Sequence, residues 1–206
     1  MVEWQLRARG VRDERVLAAM ATVPREQFVR RGDLDLAYAD EALPIAEGQT
    51  ISQPLMVALT LELLAPEPGE RVLDIGTGSG YQAAVLATMG CRVVSIERVA
   101  ELATAARDRL GALGFGDLVE VRIGDGSLGD PDGAPWSRIV VGAAAPAVPE
   151  PLTDQLAEGG RLVVPVGARW EQELTLVVRE GGRLQTSRHG ACVFVPLIGA
   201  AGHRRG

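Results

Sequence analysis

The chain has 206 residues, of which 47% are hydrophobic and 23% are charged, and its formal net charge is −6. This length and composition predict a single α/β domain, residues 1–206, with a full hydrophobic core. The acidic balance argues against nucleic-acid partners, and no apolar run approaches the roughly 18 residues that span a bilayer.

The first part of the chain, residues 1–65, is predicted to contain two helices and a loop. Apolar residues recur at helical spacing from Asp13 to Val23, and a second apolar run extends from Pro54 to Leu64. The segment Ala42–Pro54 between them contains two prolines and a glycine, which make it a poor helix interior and a poor central strand. We therefore predict an irregular loop there.

Short apolar strands alternate with helices in the core, residues 66–198. This alternation predicts right-handed crossovers and a doubly wound, mostly parallel sheet. The predicted strands are 71–75, 92–96, 119–123, 138–141 and 161–165, and the predicted helices are 81–89, 100–113 and 151–156. Two more strands, 174–178 and 191–195, with a Gly-Gly turn after the first, predict an antiparallel end of the sheet. Residues 199–206 are expected to form a flexible tail.

Three glycines, Gly76, Gly78 and Gly80, separate the first core strand from the helix that follows it. An open α/β sheet binds nucleotide-like ligands at this place, because glycines let the backbone approach the ligand and the helix start offers free amides. The alternative is a simple strand–helix turn. The glycine loop therefore predicts a cofactor site only together with neighbouring acids.

Three acidic residues accompany this loop. Glu97 ends the second core strand, where a carboxylate can accept both hydroxyls of a ribose. Asp125, followed by Gly126, ends the third strand and could accept from an adenine amino group. Asp74 precedes the loop and suits an ammonium and a sulfonium better than a pyrophosphate. The set favours S-adenosylmethionine over NAD, although Glu97 alone fits a solvated acid and Asp125 a plain turn.

The cysteines and histidines indicate no further chemistry. Cys91 and Cys192 lie far apart in strand-like runs, which predicts buried free thiols and no metal site. Neither His189 nor His203 has a plausible catalytic triad around it. The N-terminus lacks the apolar core of a signal peptide, so we expect a cytoplasmic protein without membrane partners.

Several stretches resemble the protein-L-isoaspartate O-methyltransferase family over most of the chain, from about Arg12 to Leu197. The matching segments are VPREQFV, ALPIAEGQTISQPLMVA, VLDIGTGSGYQ, GDG, VGAAAPAVPEPLTDQLAEGGRLVVPVG and FVPL. The glycine loop is shared by S-adenosylmethionine-dependent methyltransferases in general. The segment around Ser52 and the Ala-Ala-Pro region are far more specific to this family.

The resemblance implies a fold of the S-adenosylmethionine-dependent methyltransferase type, with an antiparallel last strand and an N-terminal helical cover. It implies transfer of a methyl group from S-adenosylmethionine, leaving S-adenosylhomocysteine, to the α-carboxylate of L-isoaspartyl residues in damaged proteins and peptides. The methyl ester then recloses to a succinimide, which hydrolyses partly to normal aspartate. This cycle repairs the protein.

The resemblance also implies roles for individual residues. Ser52 matches the active-site serine of the family, and Leu55 and Ile198 depart from polar positions of some members. The implied cofactor residues are Thr50, Ile51, Asp74, Gly76, Gly78, Gly80, Glu97, Asp125 and Gly126. The implied substrate residues are Ile45, Val195, Pro196 and Leu197.

The implied chemistry requires few catalytic groups. A carboxylate, with a pKa near 4, is already ionised at pH 7, so no general base is needed and the enzyme must only orient the reactants and exclude water. We therefore predict that Ala42–Pro54 covers the active site. For Ser52, capping of the helix that starts at Pro54 remains an alternative. For the whole protein, the alternatives are a carboxyl methyltransferase for an aspartate of a modified peptide and a non-catalytic S-adenosylmethionine sensor.

Overall fold

A seven-stranded sheet forms the centre of the structure, a computed structural model that describes residues 1–168 and 170–204. Its strands are β3 (Arg71–Ile75), β4 (Arg92–Glu97), β5 (Val119–Ile123), β6 (Trp136–Val141), β7 (Leu156–Ala168), β8 (Glu171–Glu180) and β9 (Arg183–Cys192). They are ordered β5-β4-β3-β6-β7-β8-β9. The first five strands of this order, β5, β4, β3, β6 and β7, are parallel to one another, whereas β8 is antiparallel to β7 and β9 is antiparallel to β8. The predicted fold class is confirmed.

The described residues form five α-helices beside this sheet and two clusters of buried apolar side chains. The helices are α1 (Glu14–Thr22), α2 (Pro54–Leu64), α3 (Tyr81–Thr88), α4 (Ala100–Ala112) and α5 (Glu150–Asp154). Neighbouring β3 residues Val72 and Leu73 belong to different clusters, because successive side chains point to opposite faces of a sheet. One cluster includes residues of α1 to α4, and the other includes α5 and Leu197.

The chain order places a crevice at the carboxyl ends of β3 and β6. From β3 the chain continues through β4 and β5 on one side, and it then returns to β6 and β7 on the other. Ligands of open α/β sheets bind where the strand order reverses in this way. Gly76 follows β3 and Gly142 follows β6, and the Gly142 amide donates to the Ile75 carbonyl at 2.8 Å. The glycine loop therefore lies at the reversal point.

The N-terminal segment packs on helices and reaches the crevice through one short hairpin. Helix α1 contacts α2 and α3. Within Ala42–Pro54, β1 (Leu43–Pro44) pairs with β2 (Thr50–Ile51), so the prediction of a wholly irregular loop is wrong. Pro44 is tolerated because a two-residue edge strand does not require its missing amide donor.

The elements at the C-terminal side have other bounds than predicted, most of all the last strand and the helix before β7. The last strand is β9 (Arg183–Cys192), not 191–195; it starts directly after the Gly181-Gly182 turn. It was missed because nine of its ten residues are exposed on an edge strand, which gives no apolar pattern. The predicted helix 151–156 ends at Asp154, because Leu156 pairs with Trp136 at the start of β7.

The tail predicted to be flexible is instead attached to the core over residues 199–203. Ala200 donates its amide to Asp125 Oδ2 at 2.7 Å, and Ala201 donates to Ser127 Oγ at 3.0 Å. The His203 amide donates to the Leu197 carbonyl at 2.7 Å, which closes a compact loop. The last two residues of the predicted tail, 205 and 206, lie outside the described residues.

Candidate active site

Three adjoining cavities meet at the short strand β2 and its neighbour Ser52. The groove, of about 1370 Å³, is bounded by Ser52, Leu55, Met56, Gln172, Arg188 and Phe194, among others. The Glu97 cavity is bounded by Gln49, Gly78, Glu97, Gly126, Gly142 and residues 195–198, among others. The glycine-loop cavity is bounded by Ile51, Val57, Gly76, Ser79, Tyr81 and Gln82, among others. Thr50 borders all three cavities, and Ser52 borders the groove and the glycine-loop cavity.

The glycine loop divides into two glycines that face cavities and one that faces a helix. Gly76 and Gly78 border the Glu97 cavity and the glycine-loop cavity, and their φ angles of 89° and 51° are in the left-handed region that favours glycine. A Cβ on Gly80 would lie 3.2 Å from Leu110 Cδ1 of α4. Gly80, whose φ of 89° is also left-handed, borders none of the three cavities and faces α4, so its cofactor contact stays a prediction from the sequence.

Glu97 connects the Glu97 cavity to the glycine loop. Its Oε2 accepts from the Gly78 amide and its Oε1 from the Val99 amide, both at 2.9 Å. The side chain is 7% exposed, and it forms no salt bridge among the described residues. A carboxylate has about four lone-pair positions. Two therefore remain for hydroxyl donors in the cavity.

Asp74 lies beneath the glycine loop and does not border any of the three cavities. It is completely buried; Oδ1 accepts from Gln82 Nε2 at 2.8 Å and Oδ2 from Ser95 Oγ at 2.6 Å. Burial raises the pKa of the Asp74 carboxyl to about 6, and bonds from Ser95 and Gln82 oppose this rise. Because Asp74 is completely buried and borders none of the three cavities, its direct contact with a cofactor ammonium stays a prediction from the sequence.

Asp125 also accepts hydrogen bonds from protein donors. Its Oδ1 accepts from the Ser127 amide and hydroxyl at 3.0 and 2.7 Å, and its Oδ2 accepts from the Ala200 amide. Partial burial acts to raise the pKa of Asp125, but these bonds outweigh it and lower the pKa. Gly126 borders the Glu97 cavity, whereas Asp125 does not. An adenine amino group would have to share the carboxylate with Ala200.

Ser52 does not cap helix α2. The N-cap residue of α2 is Gln53, without a capping side-chain bond, and the Leu55 amide donates to Asp40 Oδ1 at 3.2 Å. Within residues 1–168 and 170–204, no hydrogen bond joins the Ser52 hydroxyl to another residue. The capping alternative for Ser52 is therefore wrong, because Asp40 reaches the helix start from outside the segment.

The residues predicted to bind substrate lie beside the Glu97 cavity rather than the groove. Val195, Pro196 and Leu197 border the Glu97 cavity, and Ile45 Cδ1 lies 3.7 Å from the position that a Cβ on Gly78 would take. None of the four borders the groove. The reason is that β9 ends its pairing with β8 at Cys192, after which the chain turns towards β6, where Leu197 donates its amide to the Ala144 carbonyl at 2.8 Å. Of the two positions that depart from the family pattern, Leu55 borders the groove and Ile198 the Glu97 cavity.

Sequence reasoning missed three polar residues that shape the site. Arg25 donates from Nη2 to the Ser52 carbonyl at 2.9 Å, and Asp40 holds the start of α2. Gln172 donates to the Phe194 carbonyl at 3.2 Å and accepts from the Phe194 amide at 2.7 Å, which holds the chain where it leaves the sheet. Arg25 lies in the quoted VPREQFV segment, but charged residues are usually exposed, so its burial had no sequence signal.

The remaining predictions concern thiols, histidines and metals. Cys91 and Cys192 are buried free cysteines, as predicted, and burial raises the pKa of each thiol to about 11. His189 lies on edge strand β9, where its Nε2 is 2.8 Å from Ser187 Oγ. The described part of the chain contains no group of three or more potential metal ligands and no helix with the length and apolarity to cross a membrane.

Comparisons with known proteins match this architecture. The family model described as protein-L-isoaspartate(D-aspartate) O-methyltransferase matches residues 1–202. The protein-L-isoaspartate O-methyltransferase of Methylorubrum populi is 55% identical to this chain, in an alignment that covers 98% of this chain and 96% of that protein. The protein-L-isoaspartate O-methyltransferase of Methanoculleus marisnigri is 53% identical, with coverages of 98% and 91%.

Two solved structures of related proteins have a fold similar to that of this chain. A protein-L-isoaspartate O-methyltransferase has a TM-score of 0.87 at 32% identity, covering 98% of this chain and 67% of that one. A putative protein-L-isoaspartate O-methyltransferase from Plasmodium falciparum, in complex with S-adenosyl-L-homocysteine, has a TM-score of 0.82 at 28% identity, covering 96% of both chains.

Proposed function

Because the chain belongs to the protein-L-isoaspartate O-methyltransferase family, we propose that Thr50 to Ser52 hold the substrate carboxylate at the boundary between the groove and the cofactor cavities. The observation that carries the proposal is the position of Ser52. It borders both the groove, which is large enough for a peptide segment, and the glycine-loop cavity, and its hydroxyl is not used by the helix.

The protein is an S-adenosylmethionine-dependent repair methyltransferase that methylates L-isoaspartyl residues of damaged proteins. The residues around the Glu97 cavity fit this cofactor. Glu97 offers two unoccupied lone-pair positions for ribose hydroxyls, and Gly76 and Gly78 let the backbone border the same space without side chains. The cofactor supplies an electrophilic methyl group on a sulfonium.

The residues of this chain contribute orientation rather than proton transfer. The isoaspartyl carboxylate is ionised at neutral pH, so the nucleophile needs no base. We assign to Ser52 the donation of a hydrogen bond to that carboxylate. Thr50, which borders all three cavities, lies next to the carboxylate in this assignment. The hairpin of β1 and β2 keeps this segment over the glycine loop and limits access of water. This is the covering role expected for Ala42–Pro54.

Further assignments belong to the same proposal. Thr50, Ile51, Gly76, Gly78, Glu97 and Gly126 surround the cofactor, and residues 195–198 close the Glu97 cavity. Residues 1–206 act as one methyltransferase domain, whose partners are proteins and peptides that contain isoaspartate. The cytoplasmic location and the exclusion of nucleic acid, membrane and metal remain predictions from the sequence.

The experiment compares matched peptides that contain either isoaspartate or aspartate at one position. We expect methylation of the isoaspartyl peptide to be faster by at least about a hundredfold, because a carboxylate displaced by about 1 Å loses that much in an oriented transfer. Equal methylation of both peptides would instead support the alternative of a general carboxyl methyltransferase.

The serine is tested with Ser52→Ala and Ser52→Thr. Loss of one hydrogen bond to a charged group, about 1.5–3 kcal/mol, should slow methylation by about ten- to hundredfold in the Ala variant. The Thr variant should retain more activity, because it keeps the hydroxyl. Affinity for S-adenosylhomocysteine, measured by calorimetry, and the melting temperature should stay near the parent values in both. An Ala variant that methylates the isoaspartyl peptide at the parent rate would exclude this role.

A further inference from the structure

Arg25 is a buried cation next to the proposed active site, with no assigned role. It lies on the short 3-10 turn Arg25–Phe28 after α1, and its exposed fraction is 0%. No carboxylate of the described residues forms an ion pair with it. Arginine is rarely buried without such a partner, so its contacts deserve an explanation.

The guanidinium joins three separate parts of the chain. Nε donates to the Ala37 carbonyl at 2.8 Å, and Nη2 donates to the Ser52 carbonyl at 2.9 Å. The guanidinium carbon lies 4.8 Å from the centre of the Tyr81 ring. Tyr81 is the first residue of α3, directly after the glycine loop. A planar cation with several fixed donors can span such a set, whereas a lysine ammonium cannot.

The same cluster keeps two polar atoms without partners. Arg25 Nη1 and Tyr81 Oη are buried and form no hydrogen bond with any described residue. Burial lowers the pKa of Arg25 and raises the pKa of Tyr81 to about 12, and the closeness of the guanidinium to the Tyr81 hydroxyl opposes both shifts. An unpaired buried donor is destabilising, and an apolar side chain of similar volume would fill this space without that cost. The cluster is therefore poorly explained by stability alone.

We propose that Arg25 is a positioning residue for methyl transfer, which acts by fixing the backbone of Ser52 relative to the glycine loop. Ser52 lies in the gap between β2 and α2, where the ladder of the hairpin has ended and the helix has not begun. The bond from Arg25 to its carbonyl restricts the backbone there, and so sets the direction of the hydroxyl. The stacking on Tyr81 ties this restraint to α3. The inference rests on the proposed role of Ser52.

The test is a double-mutant cycle of Arg25→Lys and Ser52→Ala, assayed with an isoaspartyl peptide and S-adenosylmethionine. Turnover is divided by the number of S-adenosylhomocysteine binding sites from calorimetry, so that unfolded protein does not count. We expect Arg25→Lys to lower kcat by about ten- to hundredfold, with S-adenosylhomocysteine affinity within about twofold of the parent. In the Ser52→Ala background the same change should cost less than about threefold, because the hydroxyl that it positions is gone.

The control is Arg161→Lys. Arg161 is partly buried and, like Arg25, donates to a backbone carbonyl: its Nη1 donates to that of Leu63 at 3.0 Å, but at the far end of α2. It should change kcat by less than about twofold. If Arg25→Lys binds no S-adenosylhomocysteine, the cycle is repeated with Arg25→Gln, which keeps a planar donor.

Equal losses of kcat in the parent and Ser52→Ala backgrounds would overturn the inference, as would a normalised kcat of the Arg25 variant equal to that of the parent. Failure of both Arg25 variants to bind S-adenosylhomocysteine would also overturn it, because the role would then be structural. A parent protein that does not methylate the isoaspartyl peptide would instead refute the proposed function, and only through it this inference.

Discussion

The hydrogen bonds of Glu97 determine how much the substitution Glu97→Gln should weaken cofactor binding and stability. In Glu97→Gln the side chain keeps its shape, but one acceptor oxygen becomes an NH2 group that donates. The carboxylate accepts from Gly78 and Val99 on its two different oxygens, so the new NH2 group must face one of these amides and lose that bond. On the cavity side, one of the two lone-pair positions for ribose hydroxyls is lost with the same oxygen.

The expected magnitudes follow from the cost of a hydrogen bond to a charged group, about 1.5–3 kcal/mol. Binding of S-adenosylhomocysteine, measured by calorimetry, should weaken by about 10- to 150-fold. The free energy of unfolding, measured with urea, should fall by an amount of the same order, because a buried Gly78 or Val99 amide is left unpaired. Affinities for S-adenosylmethionine and S-adenosylhomocysteine should fall by the same factor, since they share the ribose.

The control is Glu101→Gln, which removes the same charge from an exposed residue in the first turn of α4. Both binding and unfolding should change by less than about 0.5 kcal/mol there. Unchanged affinity in Glu97→Gln, with stability reduced, would refute the ribose assignment and leave Glu97 only as a support for the glycine loop. A loss confined to S-adenosylmethionine would indicate that Glu97 acts on the sulfonium instead.

Two further predictions follow from Asp74 and Asp40. Burial holds the folded-state pKa of Asp74 at about 6, against 3.8 for the free group, so the folded state binds this proton more tightly than the unfolded state does. The contribution of Asp74 to the free energy of unfolding is therefore most favourable below about pH 4. It falls by about 3 kcal/mol as the pH rises to about 6 and is constant above. Urea unfolding of Asp74→Asn between pH 4 and 8 should lack this fall, and a pH profile parallel to that of the parent would contradict it. Asp40→Ala should lower the free energy of unfolding by about 1 kcal/mol, because it removes the acceptor of the Leu55 amide at the start of α2, whereas Ser52→Ala should not; equal melting temperatures of parent and Asp40→Ala would contradict this.

The sequence by itself was sufficient for the features that have a strong local pattern. Helix α2 and strand β3 have the predicted bounds, because apolar periodicity and the flanking prolines and glycines act within a few residues. The spacing from Gly78 to the end of β4 placed Glu97 next to the glycine loop, since parallel strands end at the same edge of a sheet. The family resemblance was likewise carried by contiguous segments.

Only the tertiary structure decided which polar groups already have partners. Asp74 and Asp125 have the spacing of ligand-binding acids, and in the structure their oxygens also accept hydrogen bonds from Ser95, Gln82, Ser127 and Ala200. The last of these donors is 75 residues away in the chain, so no local pattern could indicate it.

The partners of the helix start and of Ser52 were decided in the same way. Asp40, 15 residues before Leu55, caps α2, and Arg25, 27 residues before Ser52, holds the backbone of that serine. Sequence patterns report on neighbours in the chain and on the average environment of each residue type. A buried hydrogen bond depends instead on which distant segments the packing brings within about 3 Å, and that is fixed only when the whole chain has folded.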